Sequence, residues 1–535
     1  MFQQLLTPVG NSLPASFAVA ALPIVAVLVL LGIFRRPAWQ ASLAGLVVAL
    51  VVAIGVWDFP PALAAAAVAN GAIFALWPVM WIVVAALLLY NIAVSTGRFD
   101  AFRDWVMDHL PNDRRVVLVV IGFCFGALLE GVAGFGTPVA ITSSLLIMVG
   151  FPPLEALVFT LIFNTAPVAF GALGVPITTL GNVTHLSPVV LGKMVGRQLP
   201  FLAFLLPFYV MTIYGGFRSL VAMLPLLLVA GGSFALSQFV CSNYIDYQLT
   251  DVLSSLGALI VTLLFLQVWR PAPDEGHAVR ITGAAIAART HGIPTWQGWI
   301  PWLVITVVVI LWTNYKVFAI AAQVIHFPGL DKQVSITLYQ GVPYAAVYTF
   351  QPLATGTAIL LAAIITAALC GCGPAMFVRN VALTFRQTWL AILTVALIIS
   401  LAYLMNYSGI SYTLGEGVAA AGPFFIILSP FLGWVAVFLS GSDTSGNALF
   451  GNLQVVAAHQ LNLSPVLAAA TNSSGGVLGK MISPQNIATG VSVTNLKGQE
   501  GAVFARTFLH SLALTVLLGL LVAAEQFLFP WIIPL

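Results

Sequence analysis

The chain has 535 residues, 60% of them hydrophobic and only 7% charged, with a mean hydropathy of +1.05 and a net charge of +3. A soluble domain carries about a quarter charged residues, so this composition excludes a water-soluble globular fold. It predicts an all-α polytopic membrane protein whose first partner is the lipid bilayer; no nucleic-acid partner is expected.

In chain order the apolar runs cover 18–34, 42–56, 71–94, 116–129, 201–214, 219–240, 252–269, 299–315, 357–370, 389–403, 424–439 and 508–529. A hydrocarbon core of about 30 Å takes about 20 helical residues to cross, a length some runs reach only with their flanks. They predict about a dozen transmembrane helices, some of them interrupted, in a single transporter domain over 1–535. The alternation of outer-membrane barrel strands is missing. No basic stretch precedes the first run and Arg35 and Arg36 follow it, so no cleaved signal peptide is expected. Arg98, Arg103, Arg114, Arg115, Arg218, Arg270, Arg280, Arg289, Arg379, Arg386, Lys497 and Arg506 all fall in connections that a zigzag places on one side, leaving Lys316 and Lys332 opposite. The positive-inside rule then puts the N-terminus outside, in a multi-pass inner-membrane topology. Cys124, Cys241, Cys370 and Cys372 lie in or beside apolar segments without partner ligands at zinc spacing; they are expected to pack, and no metal site is predicted.

Two polar stretches interrupt this pattern. The first runs through Glu130, Gly134, Thr137 and Pro138, then Asn164, Thr165 and Pro167, then Gly171, Gly174 and Pro176. The second runs through Ser442, Asp443, Thr444, Ser445, Gly446 and Asn447, then Asn472, Ser473, Ser474 and Gly476, then Lys480 and Pro484. Each is a glycine-rich break with one acid, an apolar helix, an Asn/Thr/Ser break, then Gly and Pro. They read as a weak internal repeat, with units over 116–200 and 424–500.

Gly and Pro free backbone groups from a helix, and at membrane depth those groups need protein or a water-lined cavity. Paired broken helices therefore mark a repeat-built transporter with a midplane site. Half-helix N-termini suit a carboxylate, and Ser, Thr and Asn add neutral donors. The candidate substrate-binding residues are Gly134, Thr137, Asn164, Thr165, Ser442, Thr444, Ser445, Asn447, Asn472, Ser473, Ser474 and Lys480. The plainer reading is that small residues simply let helices approach.

Intramembrane acids point to function. Asp443 and Glu130 are the candidates for proton coupling, since a carboxylate out of water and beside an anion favours its neutral form. Such an acid holds a proton with substrate bound and loses it when the site empties, which couples the two. Glu130 capping a half-helix is the structural alternative. Glu155, Asp246, Glu416 and Glu525 read as interface or loop residues. Lys480 has three roles open to it: meeting the substrate carboxylate, pairing with Asp443, or snorkelling to an interface. Lys193 and Arg197 share a helix face. His185 and His459 read as structural, and Tyr403, Asn406 and Tyr407 as belt residues first.

The segments 130–138 (EGVAGFGTP), 164–174 (NTAPVAFGALG), 440–449 (SGSDTSGNAL) and 471–483 (TNSSGGVLGKMIS) resemble the bacterial lactate permease family, and length and hydropathy match along nearly the whole chain. Two departures stand out: Gly446 follows Ser445 where a second Ser is expected, and 327–352 looks variable. The resemblance implies proton symport of L-lactate, often D-lactate and glycolate. It also implies kinship to an ion-transporter superfamily whose members have inverted repeats, scaffold and transport domains, re-entrant hairpins and elevator movement, often as dimers. Unbroken runs such as 18–56 and 252–269 would form the scaffold. No P-loop appears, and no cofactor ligand set is visible, so neither an ATP-driven pump nor a cofactor enzyme is expected. A channel would need charged rings along a pore, and an enzyme a nucleophile–base constellation. The coupling ion is expected to be the proton, with sodium the alternative, because Asp with hydroxyl and carbonyl oxygens also ligates a hard cation.

Overall fold

The computed structural model describes residues 1–34, 36–132, 137–279, 292–494, 496 and 498–534. Among these, ten helices are long and apolar enough to cross a bilayer, or eleven with the bent pair Pro153–Phe163 and Val168–Thr184 taken as one span. The chain is thus a multi-pass helical membrane protein. Pro188–Val240 spans 53 residues, which as one straight helix at 1.5 Å per residue would be about 80 Å long, far beyond a ~30 Å core. Gly216 breaks it with φ +66, and a Cβ on Gly231 would stand 2.8 Å from the Phe204 carbonyl oxygen. The two arms therefore fold back side by side, and the predicted runs 201–214 and 219–240 are its two limbs.

Arg114 donates to the Gly150 and Gly276 carbonyls at 2.9 and 2.7 Å, and Arg115 pairs with Asp113 and Asp274. The Arg-rich connections thus meet at one end of the bundle. The strand Phe2–Gln3 runs parallel to Val334–Ile336, with Phe2 opposite Val334. The N-terminus therefore shares a face with the loop that holds Lys332. That loop also forms the antiparallel pair Gln323–His326 with Val347–Phe350.

Both polar stretches are largely helical among the described residues. In the second, Phe425–Ser440 ends at Gly441, whose φ of +71 and bond from its N–H to the Val437 carbonyl (2.7 Å) form a left-handed stop. Ser442 then caps Asp443–Gln460, accepting from the Ser445 N–H at 3.3 Å. Pro465–Lys480 returns, capped by Ser464 and packed closely on Phe425–Ser440. Gly475 and Gly479 permit that approach: a Cβ on either would lie 2.0 or 2.2 Å from a carbonyl oxygen of Pro430 or Trp434. In the first, Arg114–Val132 precedes residues 133–136, which lie outside the described residues, and Thr137–Met148 follows them. Pro153–Phe163 returns, and Gly171–Thr184 opens with Ala172, Leu173 and Gly174 all left-handed, at φ +44, +58 and +73. Two consecutive non-glycine residues in that region are strained, and Ala172 lines the cavity described next.

Candidate substrate site

Gly171–Thr184, from the first polar stretch, lies along Asp443–Gln460 of the second. Asn447 Nδ2 donates to the Pro176 carbonyl at 3.2 Å, tying the two stretches together. Around that tie is a small pocket lined by Glu130, Val168, Gly171, Ala172, Val175 and Pro176 from one stretch, and by Gly441, Ser442, Asp443, Thr444 and Lys480 from the other. Both acids singled out from sequence thus open on one cavity.

Lys480 Nζ donates to Glu130 Oε1 at 2.6 Å, and Asn164 Nδ2 donates to Glu130 Oε2 at 2.9 Å. Glu130 is therefore not a helix cap, and Lys480 neither snorkels nor pairs with Asp443. The return helix carries Lys480 inward across the gap, so its partner comes from the other stretch. Gly171 allows the approach, since a Cβ there would sit 3.1 Å from Glu130 Oε1.

Asp443, 3% exposed, accepts from Ser473 Oγ at 2.5 Å and Asn447 Nδ2 at 3.3 Å, both on Oδ2. Its Oδ1 has no partner. Gly476 leaves room for that oxygen, as a Cβ on it would stand 2.3 Å away. Ser442 Oγ takes the Ser445 N–H, and the Ser442 carbonyl takes the Gly446 N–H at 3.0 Å. The first N–H groups of the helix, those of Asp443 and Thr444, have no carbonyl one turn back. The pocket therefore combines a helix N-terminus, a lysine, two carboxyl groups and hydroxyls. A monocarboxylate finds both donors and a cation there, and a proton has two acids to occupy.

Other predicted residues are turned elsewhere in this structure. Thr165 Oγ1 donates to the Ile162 carbonyl at 2.7 Å and Ser474 Oγ to Gln198 Oε1 at 2.7 Å. Asn472 donates to Asn447 Oδ1 at 2.9 Å and accepts from Gln454 at 2.7 Å. Asn472 and Ser473 thus form the frame that holds Asn447 and Asp443. Gly134 lies outside the described residues, as does the side chain of Thr137, which opens Thr137–Met148. Glu525, read as an interface residue, is buried and accepts from Gln198 Nε2 at 2.9 Å, because its helix turns that face onto Pro188–Val240. Tyr407, read as a belt residue, is buried against Tyr344, and Asn406 beside it donates to the Val183 carbonyl. His185 bonds Tyr344 and Arg197 bonds Asn243, while Lys193 lines a separate cavity. Missed altogether were Gln198, which bridges Thr471, Ser474 and Glu525, and Asp251 behind Gly131. An acid and a glutamine inside apolar helices were the available signals.

Three comparisons bear on this geometry. The glycolate permease GlcA of Escherichia coli (strain K12) is 42% identical over 553 residues, covering 98% of each chain. The L-lactate permease of Salmonella typhi is 41% identical over 552 residues, with both chains fully covered. Among solved structures, Neisseria gonorrhoeae MtrF, described as one of a class of antimetabolite efflux pumps, superposes with a TM-score of 0.52 at 14% identity over 93% of this chain and 96% of its own. That likeness shows a shared helical membrane-transporter fold. The L-lactate permease family model matches residues 16–529, and with full-length relatives above 40% identity the chain belongs to that family of transporters.

Proposed function

We propose that the chain carries lactate and related 2-hydroxy monocarboxylates such as glycolate into the cell across the bacterial inner membrane, each with a proton. The observation that carries this reading is the shared pocket, in which the unpartnered Oδ1 of Asp443 and the Glu130–Lys480 pair face one space at a helix N-terminus. The names of the relatives supply the substrate class.

In this reading the substrate carboxylate displaces Glu130 from Lys480 and takes the open N–H groups of Asp443 and Thr444. Its 2-hydroxyl meets Ser442 or Thr444. A proton on Asp443 or Glu130 offsets the added negative charge and leaves with the substrate. The open volume of about 40 Å³ is close to the ~30 Å³ share of one water, so the units must part to admit the anion. Movement of the two broken-helix units against unbroken helices, elevator fashion, would do this. The N-terminal face, opposite the Arg cluster, would then be external.

Radiolabelled lactate uptake into proteoliposomes tests the proposal. Accumulation above equilibrium under an imposed pH difference, with sodium replaced, is expected. Accumulation only under a sodium gradient would move the coupling to that ion, which the oxygens around Asp443 could ligate. Equilibration without accumulation would leave a passive pathway.

A further inference from the structure

Asp251 stands in the first turn of Thr250–Val268 with 0% exposure, and neither of its carboxyl oxygens has a hydrogen-bond partner. It is alone in this among the buried acids of the described residues. An ionised carboxylate without a bonded partner is too costly to bury, and such a group takes up a proton. Acids are favoured in a first helical turn, yet no N–H of this turn bonds it. The dipole therefore does not account for so complete a burial.

Its location gives it a use. A Cβ on Gly131, the residue after Glu130, would lie 3.1 Å from Asp251 Cγ and 3.2 Å from Oδ2. Asp251 thus lies against the helical turn that carries Glu130, a residue of the substrate pocket. Of the ionisable groups around it, Glu130 is the residue before Gly131 and is itself paired with Lys480. Tyr247 turns its hydroxyl to Thr178 at 3.0 Å, Cys124 faces Thr262 well along the helix, and Arg197 is held by Asn243. Glu130, Asp251 and Lys480 therefore form a buried group of two acids and one base, which is neutral only with one proton aboard.

We propose that Asp251 is a further proton-carrying acid of the transport site, holding its proton while Lys480 is paired with Glu130 and releasing it when Glu130 is displaced. This rests on the proton-coupled reading above and adds a residue to it. When the substrate carboxylate takes Lys480, the proton passes from Asp251 to the freed Glu130, and Asp251 takes up a replacement from the side the substrate entered; the loaded site then holds one proton more than the empty one, and that proton leaves with the substrate. No bond other than the acid O–H is made or broken.

The test uses the full chain in proteoliposomes. For Asp251→Asn and Asp251→Ala, pH-driven lactate accumulation is expected to fall by about tenfold or more, the scale of a coupling free energy between two ligands, while lactate exchange persists. Wild-type accumulation in either variant would overturn the role of Asp251 while leaving proton coupling intact. Loss of exchange together with accumulation would make Asp251 structural. Absence of pH-driven accumulation in the unaltered protein would instead remove the underlying reading. Should neither variant fold, a hydrophobic carbodiimide, which attacks protonated carboxyl groups, reports on the unaltered chain. An adduct at Asp251 that disappears in alkali is expected by peptide mass spectrometry, and an unmodified Asp251 would overturn the proposal.

Discussion

Lys480 Nζ and Glu130 Oε1 lie 2.6 Å apart, although 350 positions separate them in the chain, and both side chains are buried. Each belongs to a different one of the two polar stretches, so this ion pair is also a clasp between the two. Asn164 holds the second oxygen of Glu130. Opening the pocket enough for a carboxylate must loosen the clasp.

Breaking a buried pair from one side leaves an uncompensated charge and costs about 3–5 kcal/mol, whereas replacing both partners is far milder. Lys480→Gln and Glu130→Gln are therefore each expected to melt well below the unaltered protein in detergent. The double variant Glu130→Gln/Lys480→Met should recover much of the loss. All three should fail to transport. Equal melting of single and double variants would mean that the pair contributes no coupling.

Asp443→Asn keeps the shape of the side chain and removes its titration. The amide oxygen can still accept from Ser473 and Asn447, so the frame around it should survive. Uphill lactate accumulation is expected to disappear while exchange continues, since a neutral group mimics the protonated acid. Accumulation at the unaltered level would transfer the coupling to Glu130 and Asp251, and the same result in Glu130→Gln would end the proposal for both pocket acids.

Two glycines one turn apart separate site from packing. In Gly476→Ala the new methyl meets a side-chain oxygen, Asp443 Oδ1, at 2.3 Å, and in Gly479→Ala it meets a backbone oxygen, that of Trp434, at 2.2 Å. Alanine is favoured over glycine in a helix by about 1 kcal/mol, so the sign rests on the clash. Asp443 can rotate aside, and Gly476→Ala should fold yet lose transport. The Trp434 carbonyl belongs to the neighbouring helix and cannot yield, so Gly479→Ala should lose stability by about 1–3 kcal/mol, the usual scale of overpacking. Melting curves alongside uptake assays distinguish the two.

How far the sequence reveals this arrangement depends on the kind of signal. Gly441-Ser442-Asp443 is legible because a left-handed stop and a serine cap are local chemistry. The hairpin at Gly216 is legible in part, because two apolar runs flank it. Ala172 and Leu173 are not, since nothing in an alanine or leucine announces positive φ; only the surrounding fold imposes it. Lys480 shows no preference for Glu130 over Asp443 until the return helix fixes which acid it reaches. Asp251 opens an apolar run without a glycine-rich polar break, which reads as scaffold until its first turn is seen against Gly131. Glu525 ends a long apolar helix and so resembles an interface residue, and its burial follows only from the meeting with Gln198.

Selectivity among monocarboxylates follows from what the pocket offers besides charge. Ser442 and Thr444 bring hydroxyls to a space otherwise walled by Val168, Ala172, Val175 and Pro176. A ligand with a carboxylate and a 2-hydroxyl can satisfy Lys480, the open N–H groups and a hydroxyl together. Propionate lacks the 2-hydroxyl and leaves a buried polar partner unpaired, at about 1–3 kcal/mol. Competition against labelled lactate should therefore be roughly tenfold or more weaker for propionate than for glycolate, at about 1.4 kcal/mol per factor of ten. Thr444→Val removes a hydroxyl with little change in volume. If that hydroxyl reads the 2-hydroxyl, the variant should narrow the gap between propionate and lactate, chiefly by weakening lactate. Equal competition by propionate in the unaltered protein would mean that the site reads only the carboxylate.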